Sequence, residues 1–149
     1  MLQWLPVADL AAARIQLGLS SSASWVRATP QSVTVFEPDK PCVFLLPVLE
    51  LDLNEVRRLL ERGLQETGLS TEFLKTFPFE DVIVTGLESQ SERWSSLALK
   101  WAEQLPVSTR LQSALDALIT AGPTQTLRHA AQKLRARQRR TAAGESGPV

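Results

Sequence analysis

The sequence contains no tyrosine, one cysteine and one histidine. Each scarcity removes some chemistry. A lone thiol, Cys42, cannot close an internal disulfide, so the chain does not read as a stapled secreted domain. One cysteine and one histidine cannot supply the several ligands of an ordinary structural zinc site. A nucleophile–base–orienter triad needs a base, and His129 lies far in sequence from Cys42. Cys42 sits in the apolar run Cys42-Val43-Phe44-Leu45-Leu46, where a buried, inert thiol is expected. His129 reads as a solvated helix residue. Long apolar runs are missing too, since a membrane span needs about 20 residues. The start, Met1-Leu2-Gln3-Trp4-Leu5-Pro6, has neither the basic opening nor the apolar stretch of a secretory signal. The chain reads as soluble and cytoplasmic, with no membrane contact.

The glycines are isolated, and neither Gly-x-Gly-x-x-Gly nor a Gly-Lys-Ser/Thr phosphate loop occurs. Gly68-Leu69-Ser70-Thr71-Glu72 is not a nucleophile elbow. Pro38-Asp39 could be the first half of a metal-dependent nuclease pattern whose second half is an acid two residues before a lysine. That half is absent, because Phe73, Ala98 and Ala131 precede Lys75, Lys100 and Lys133. Pro38-Asp39 is better read as a turn. Carboxylates alone could hold magnesium or calcium, and the candidates are Glu50 with Asp52 and the adjacent Glu80-Asp81. Asp52 reads instead as a helix cap, and Glu80-Asp81 as a solvated strand entry. No catalytic residue, metal ligand or cofactor is assigned.

What is present has an ordinary globular balance, 44% hydrophobic and 21% charged over 149 residues. The net charge is zero, but it is unevenly spread. Ten Lys/Arg face fifteen Asp/Glu as far as Asp116, whereas Ala117 to Gly144 has no acid and six bases.

Periodicity and punctuation suggest the elements. Pro6 to Leu17 reads as a helix, with Ala11-Ala12-Ala13 favouring it and Gly18 ending it. Ser24 to Ala28, Val33 to Glu37 and Cys42 to Leu49 read as strands of a meander, the last ended by Pro47. Asp52 and Glu55 form a capping-box variant opening a helix over Leu53 to Glu66, stopped by Gly68. Ser70 to Phe77 reads as a short helical turn, and Asp81 to Thr85 as a fourth strand. Helices follow over Ser91 to Leu105, from Ser108 to Ala121, and from Thr124 or Thr126 onward. The expected class is α+β: a small antiparallel sheet, a three-stranded meander plus a short fourth strand, packed by helices, with a helical C-terminal third. One domain is expected over 1–141, with a disordered tail over 142–149.

This order of helix, three strands, helix, strand and helices resembles that of the small cytosolic chaperones that hold effectors for bacterial secretion machines. The resemblance covers about the first two thirds of the chain and rests on element order, with no motif. It implies a chaperone-like, non-catalytic role.

Two features point to binding. On the terminal helix, Leu127, Ala131 and Leu134 form a narrow apolar seam, flanked by Arg128, Arg135 and Arg139 on one side and Lys133, Arg137 and Arg140 on the other. Such a helix can dock on its seam and present cations to an acidic protein surface or a phosphate backbone. Because the seam is narrow, the body is expected to fold without the residues beyond Gln125. The second feature is tryptophan. Trp94 and Trp101 share a face with Leu97 and read as core, while Trp4 precedes the first helix cue and is a candidate contact residue. The candidate partner-binding set is Arg128, Lys133, Arg135, Arg137, Arg139, Arg140 and Trp4. The expected function is a non-enzymatic protein–protein interaction or regulatory factor: an adaptor, an inhibitor, an immunity-type or a chaperone-like protein. The alternative is a nucleic-acid-associated factor using the basic helix. A carboxylate–metal enzyme is the third reading.

Overall fold

The computed structural model describes residues 3–38, 40–106 and 108–146, with side chains as far as Thr141. The class is α+β, as expected. The chain forms two compact units, Met1–Val82 and Ile83–Val149.

The first unit opens with a four-stranded antiparallel meander in the order β1-β2-β3-β4. Its strands are β1 (Trp4–Leu10), β2 (Ile15–Ser20), β3 (Trp25–Ala28) and β4 (Val33–Val35). The expected helix over Pro6 to Leu17 is therefore a β-hairpin. Ile15, Leu17 and Leu19 alternate with Gln16 and Gly18, and all three are buried. This period of two outweighs the helix propensity of Ala11-Ala12-Ala13, which is a weak local preference. The alanines form one 3-10 turn, and Arg14 closes the connection in the left-handed region at φ 60°. Pro6 lies at a β-bulge, where the pairing of β1 with β2 shifts between Pro6 and Ala8. Proline is tolerated at such a position because a ladder hydrogen bond is already interrupted.

The expected strand over Cys42 to Leu49 is a 3-10 helix, Val43–Glu50, with Pro47 inside it. Its buried residues pair at a spacing of three, Leu45 with Val48 and Leu46 with Leu49. A short continuous apolar run cannot by itself distinguish a buried strand from a buried helical segment.

Helix α1 (Leu53–Glu66) has the bounds expected from its caps. The Asp52 carboxylate accepts from the Asn54 N–H at 3.0 Å. At the other end, Gly68 takes φ 76°, and Leu69 N–H donates to the Leu64 carbonyl at 2.9 Å. That is the left-handed closure glycine allows. Leu53, Val56, Leu60 and Leu64 are fully buried, each contributing about 1.5–3 kcal/mol of transfer free energy. The helix packs on β1. Gly63 permits the close approach, since a Cβ there would fall on the Val7 carbonyl. A 3-10 segment, Thr71–Thr76, follows. Its Thr76 hydroxyl accepts from the Trp25 indole N–H at 2.9 Å, and Phe77 meets the Trp25 ring edge-on at 5.2 Å.

Helix α2 (Phe79–Glu88) replaces the expected strand over Asp81 to Thr85, and the boundary between the units falls inside it. Val82, Ile83, Val84 and Leu87 are all buried, and the polar face is narrow, with Glu88 exposed and Glu80, Asp81 and Thr85 half-buried. Glu80 and Asp81 lie in its first turn, where acids complement the helix dipole. The element order behind the secretion-chaperone resemblance is thus not the observed one. All four strands precede the first α-helix.

The second unit is helical. Its helices are α3 (Glu92–Ala102), α4 (Thr109–Ala121) and α5 (Gln125–Ser146). Ser91 caps α3 through the Trp94 N–H, and Ser108 caps α4 through the Leu111 N–H. The buried stripe of α3 is Ser95, Ala98, Leu99 and Ala102, with Trp101 beside it. Trp94 and Leu97 are half-buried rather than core. Helix α5 runs to Ser146, where the sequence reading places a tail from Ala142. Residues 147–149 lie outside the described residues. Among the described residues, no helix is long and apolar enough to cross a membrane.

Candidate functional site

Helices α4 and α5 form an antiparallel hairpin. Gly122 N–H donates to the Leu118 carbonyl at 2.8 Å and ends α4, and the Thr124 hydroxyl accepts from the Leu127 N–H at 3.2 Å and opens α5. Two cross-links set the register. Arg128 Nη1 donates to the Gly122 carbonyl at 2.7 Å, and Arg135 Nε donates to the Asp116 carboxylate at 2.9 Å. The seam of α5 is fully used: Leu127, Ala131 and Leu134 are buried, and Gln138 extends the line by one more turn. Helix α5 packs against α4 and α3 along it.

This geometry divides the expected contact residues. Arg135 is buried, its stem lying in the seam and its head paired with Asp116. Arg128 is half-buried and serves the C-terminal end of α4, where a cation suits the exposed carbonyls. Neither faces solvent as the sequence reading had it. A long aliphatic stem lets arginine line an apolar seam, which an apolar-only helical wheel does not register. The residue missed was Asp116, whose one signal was its place as the last acid before the acid-free stretch.

Lys133, Arg137, Arg139 and Arg140 are exposed. Among the described residues, none of the four lies within ion-pair distance of a carboxylate. His129, Lys133, Arg137 and Arg140 follow one another at steps of four, four and three, so they form one stripe. That stripe lies opposite the seam of Leu127, Ala131, Leu134 and Gln138, and spans about 16 Å of helix axis. Its exposed or half-buried neighbours are Thr126, Ala130, Gln132, Ala136 and Thr141. Arg139 stands to one side, above Arg128 and Arg135.

Trp4 lies in the other compact unit. It is half-buried, its ring against Gly18 of the neighbouring strand, where a Cβ would meet it. An aromatic covering a strand glycine supports the sheet. The remaining sequence candidates are dispersed. Cys42 is buried, and Glu50 and Asp52 are not on a strand but flank the junction between the 3-10 helix and α1. Pro38 lies in a turn in which Lys40 N–H donates to the Glu37 carbonyl at 3.1 Å, and Asp39 lies outside the described residues. Among the described residues, no three His, Cys, Asp or Glu side chains converge as a metal site. The charge is divided between the units: eleven Asp/Glu against seven Lys/Arg in the first, five against nine in the second.

No family model, curated protein or solved structure matches this chain.

Proposed function

We propose that this protein is a non-enzymatic interaction factor that engages an anionic macromolecular partner through the outer face of α5, in an adaptor or regulatory role in the cytoplasm. One observation carries the reading. Lys133, Arg137 and Arg140 stand on a single exposed stripe, with no carboxylate among the described residues within ion-pair distance, while the other side of the same helix is occupied by packing. Cations held in one row repel each other at steps of three and four. A row of this kind is a stable arrangement when an external anion neutralises it.

The test is a binding titration of the full chain against two polyanions, poly-L-glutamate and a 20-base-pair DNA duplex, at about 50 mM salt. At least one should bind, and the triple variant Lys133→Ala, Arg137→Ala, Arg140→Ala should weaken that binding at least about tenfold, since each phosphate contact contributes strongly at low salt. Absence of binding to both would overturn the reading.

A further inference from the structure

We infer that the anionic partner is a nucleic-acid duplex, held by its phosphate backbone without regard to sequence; this rests on the reading of α5 as the working surface. Four features of that surface favour a phosphate backbone over an acidic protein. First, protein interfaces are built around large apolar or aromatic anchors with charge at the rim. The outer stripe of α5 has none, because between and beside its cations stand threonine, alanine, His129 and Gln132. Among the described residues, the exposed large hydrophobic side chains, Leu5, Val33 and Val43, all belong to the first unit. Second, Ala117 to Gly144 contains no acid. A protein partner, even an acidic one, presents charges of both signs, whereas a duplex presents one. Third, the length fits: Lys133 to Arg140 spans about 10 Å of axis, and a duplex offers about six phosphate charges over that distance. Fourth, the small residues in the stripe allow the helix to lie close to the backbone.

The same stripe indicates which nucleic acid and how it is read. Its one ring is the His129 imidazole at the N-terminal end; no Phe, Tyr or Trp stands on it to give the run of stacking platforms that single-strand binders use. Contacts to phosphate alone fix position and carry no sequence information.

The experiment measures binding of the full chain to two 20-base-pair DNA duplexes of unrelated sequence between about 50 and 200 mM salt, with poly-L-glutamate as the acidic-protein probe. Both duplexes should bind with similar affinity. Four phosphate contacts, from Lys133, Arg137, Arg139 and Arg140, give a log–log slope of about −3.6, so the fourfold rise in salt should weaken binding about a hundredfold. Lys133→Ala, Arg137→Ala, Arg140→Ala should reduce the slope to about −1. Arg137→Lys with Arg140→Lys, which keeps the charge, should retain it. Circular dichroism of both variants shows whether the helix is kept. If poly-L-glutamate binds through the same three cations and the duplexes do not, the nucleic-acid inference fails and the reading of α5 survives. If neither probe binds, the reading itself fails. If the duplexes bind with a slope unchanged in the alanine variant, another surface is responsible and both are overturned.

Discussion

The Arg135 guanidinium, on a side chain only 11% exposed, donates to an Asp116 carboxylate whose side chain is 54% exposed, at 2.9 Å. The pair is lopsided. The cation is held in the seam between α4 and α5, and the acid has water as an alternative partner. Removing the acid therefore harms more than removing both charges would.

Asp116→Ala should destabilise the protein by about 1–3 kcal/mol, the usual cost of leaving a covered charged donor without its acceptor. Arg135→Met, which keeps the apolar stem and deletes the charge, should cost less. Urea denaturation midpoints of the two variants test this, and equal midpoints would mean that the pair does not hold the helices.

Truncation after Gln125 should unfold the helical unit. The sequence reading expected a body that stands without α5, but Leu127, Ala131 and Leu134 are all buried. Losing the two leucines alone removes about 3–6 kcal/mol of transfer free energy. Near- and far-ultraviolet circular dichroism of the shortened chain should show lost helix beyond the residues deleted.

Trp101→Ala should cost about 3–5 kcal/mol, and Trp94→Ala distinctly less. Both rings were expected in the core, yet only Trp101, 2% exposed, is covered on all sides. Thermal melts of the two variants should differ in midpoint by several degrees.

Gly63→Ala should destabilise despite alanine's better helix propensity. The added methyl would meet the Val7 carbonyl, and overpacking of this kind costs about 1–3 kcal/mol or more. A midpoint raised by the substitution would mean that α1 does not approach β1 so closely.

Neutralising the outer stripe should leave stability intact or raise it. Lys133→Ala, Arg137→Ala, Arg140→Ala removes repulsion at steps of three and four and adds the best helix former. A midpoint lowered by more than about 0.5 kcal/mol would assign these side chains a structural role.

The legible parts of the fold were those with chemical punctuation. Asp52, Ser91, Ser108 and Thr124 each cap the helix that follows, and a side-chain acceptor beside orphan N–H groups is a local signal. The misread parts were decided by tertiary burial. Val82-Ile83-Val84 looks like a strand because β-branched residues favour one, but all three are buried on a helix whose polar side is carried by Glu80, Asp81, Thr85 and Glu88. Val43 to Leu49 is ambiguous for the same reason. Over Pro6 to Leu17 the alternation of Ile15, Leu17 and Leu19 outweighs the local helix preference of three alanines. At the candidate surface, the basic helix and its seam were visible in the sequence. The division of its arginines was not, because what Arg128 and Arg135 do depends on Gly122 and Asp116 of the neighbouring helix.

The division of charge between the two units also affects behaviour in bulk. At neutral pH the chain has no formal net charge, yet its first unit is acidic and its second basic. Copies of such a molecule lack the mutual repulsion that keeps proteins apart, and opposite-signed regions attract. Added salt shortens the reach of that attraction to about 10 Å at 0.1 M. The protein should therefore be least soluble in dilute buffer and dissolve further as salt is added. The low ionic strength that favours the proposed α5 contact is then also where the free protein is most prone to precipitate.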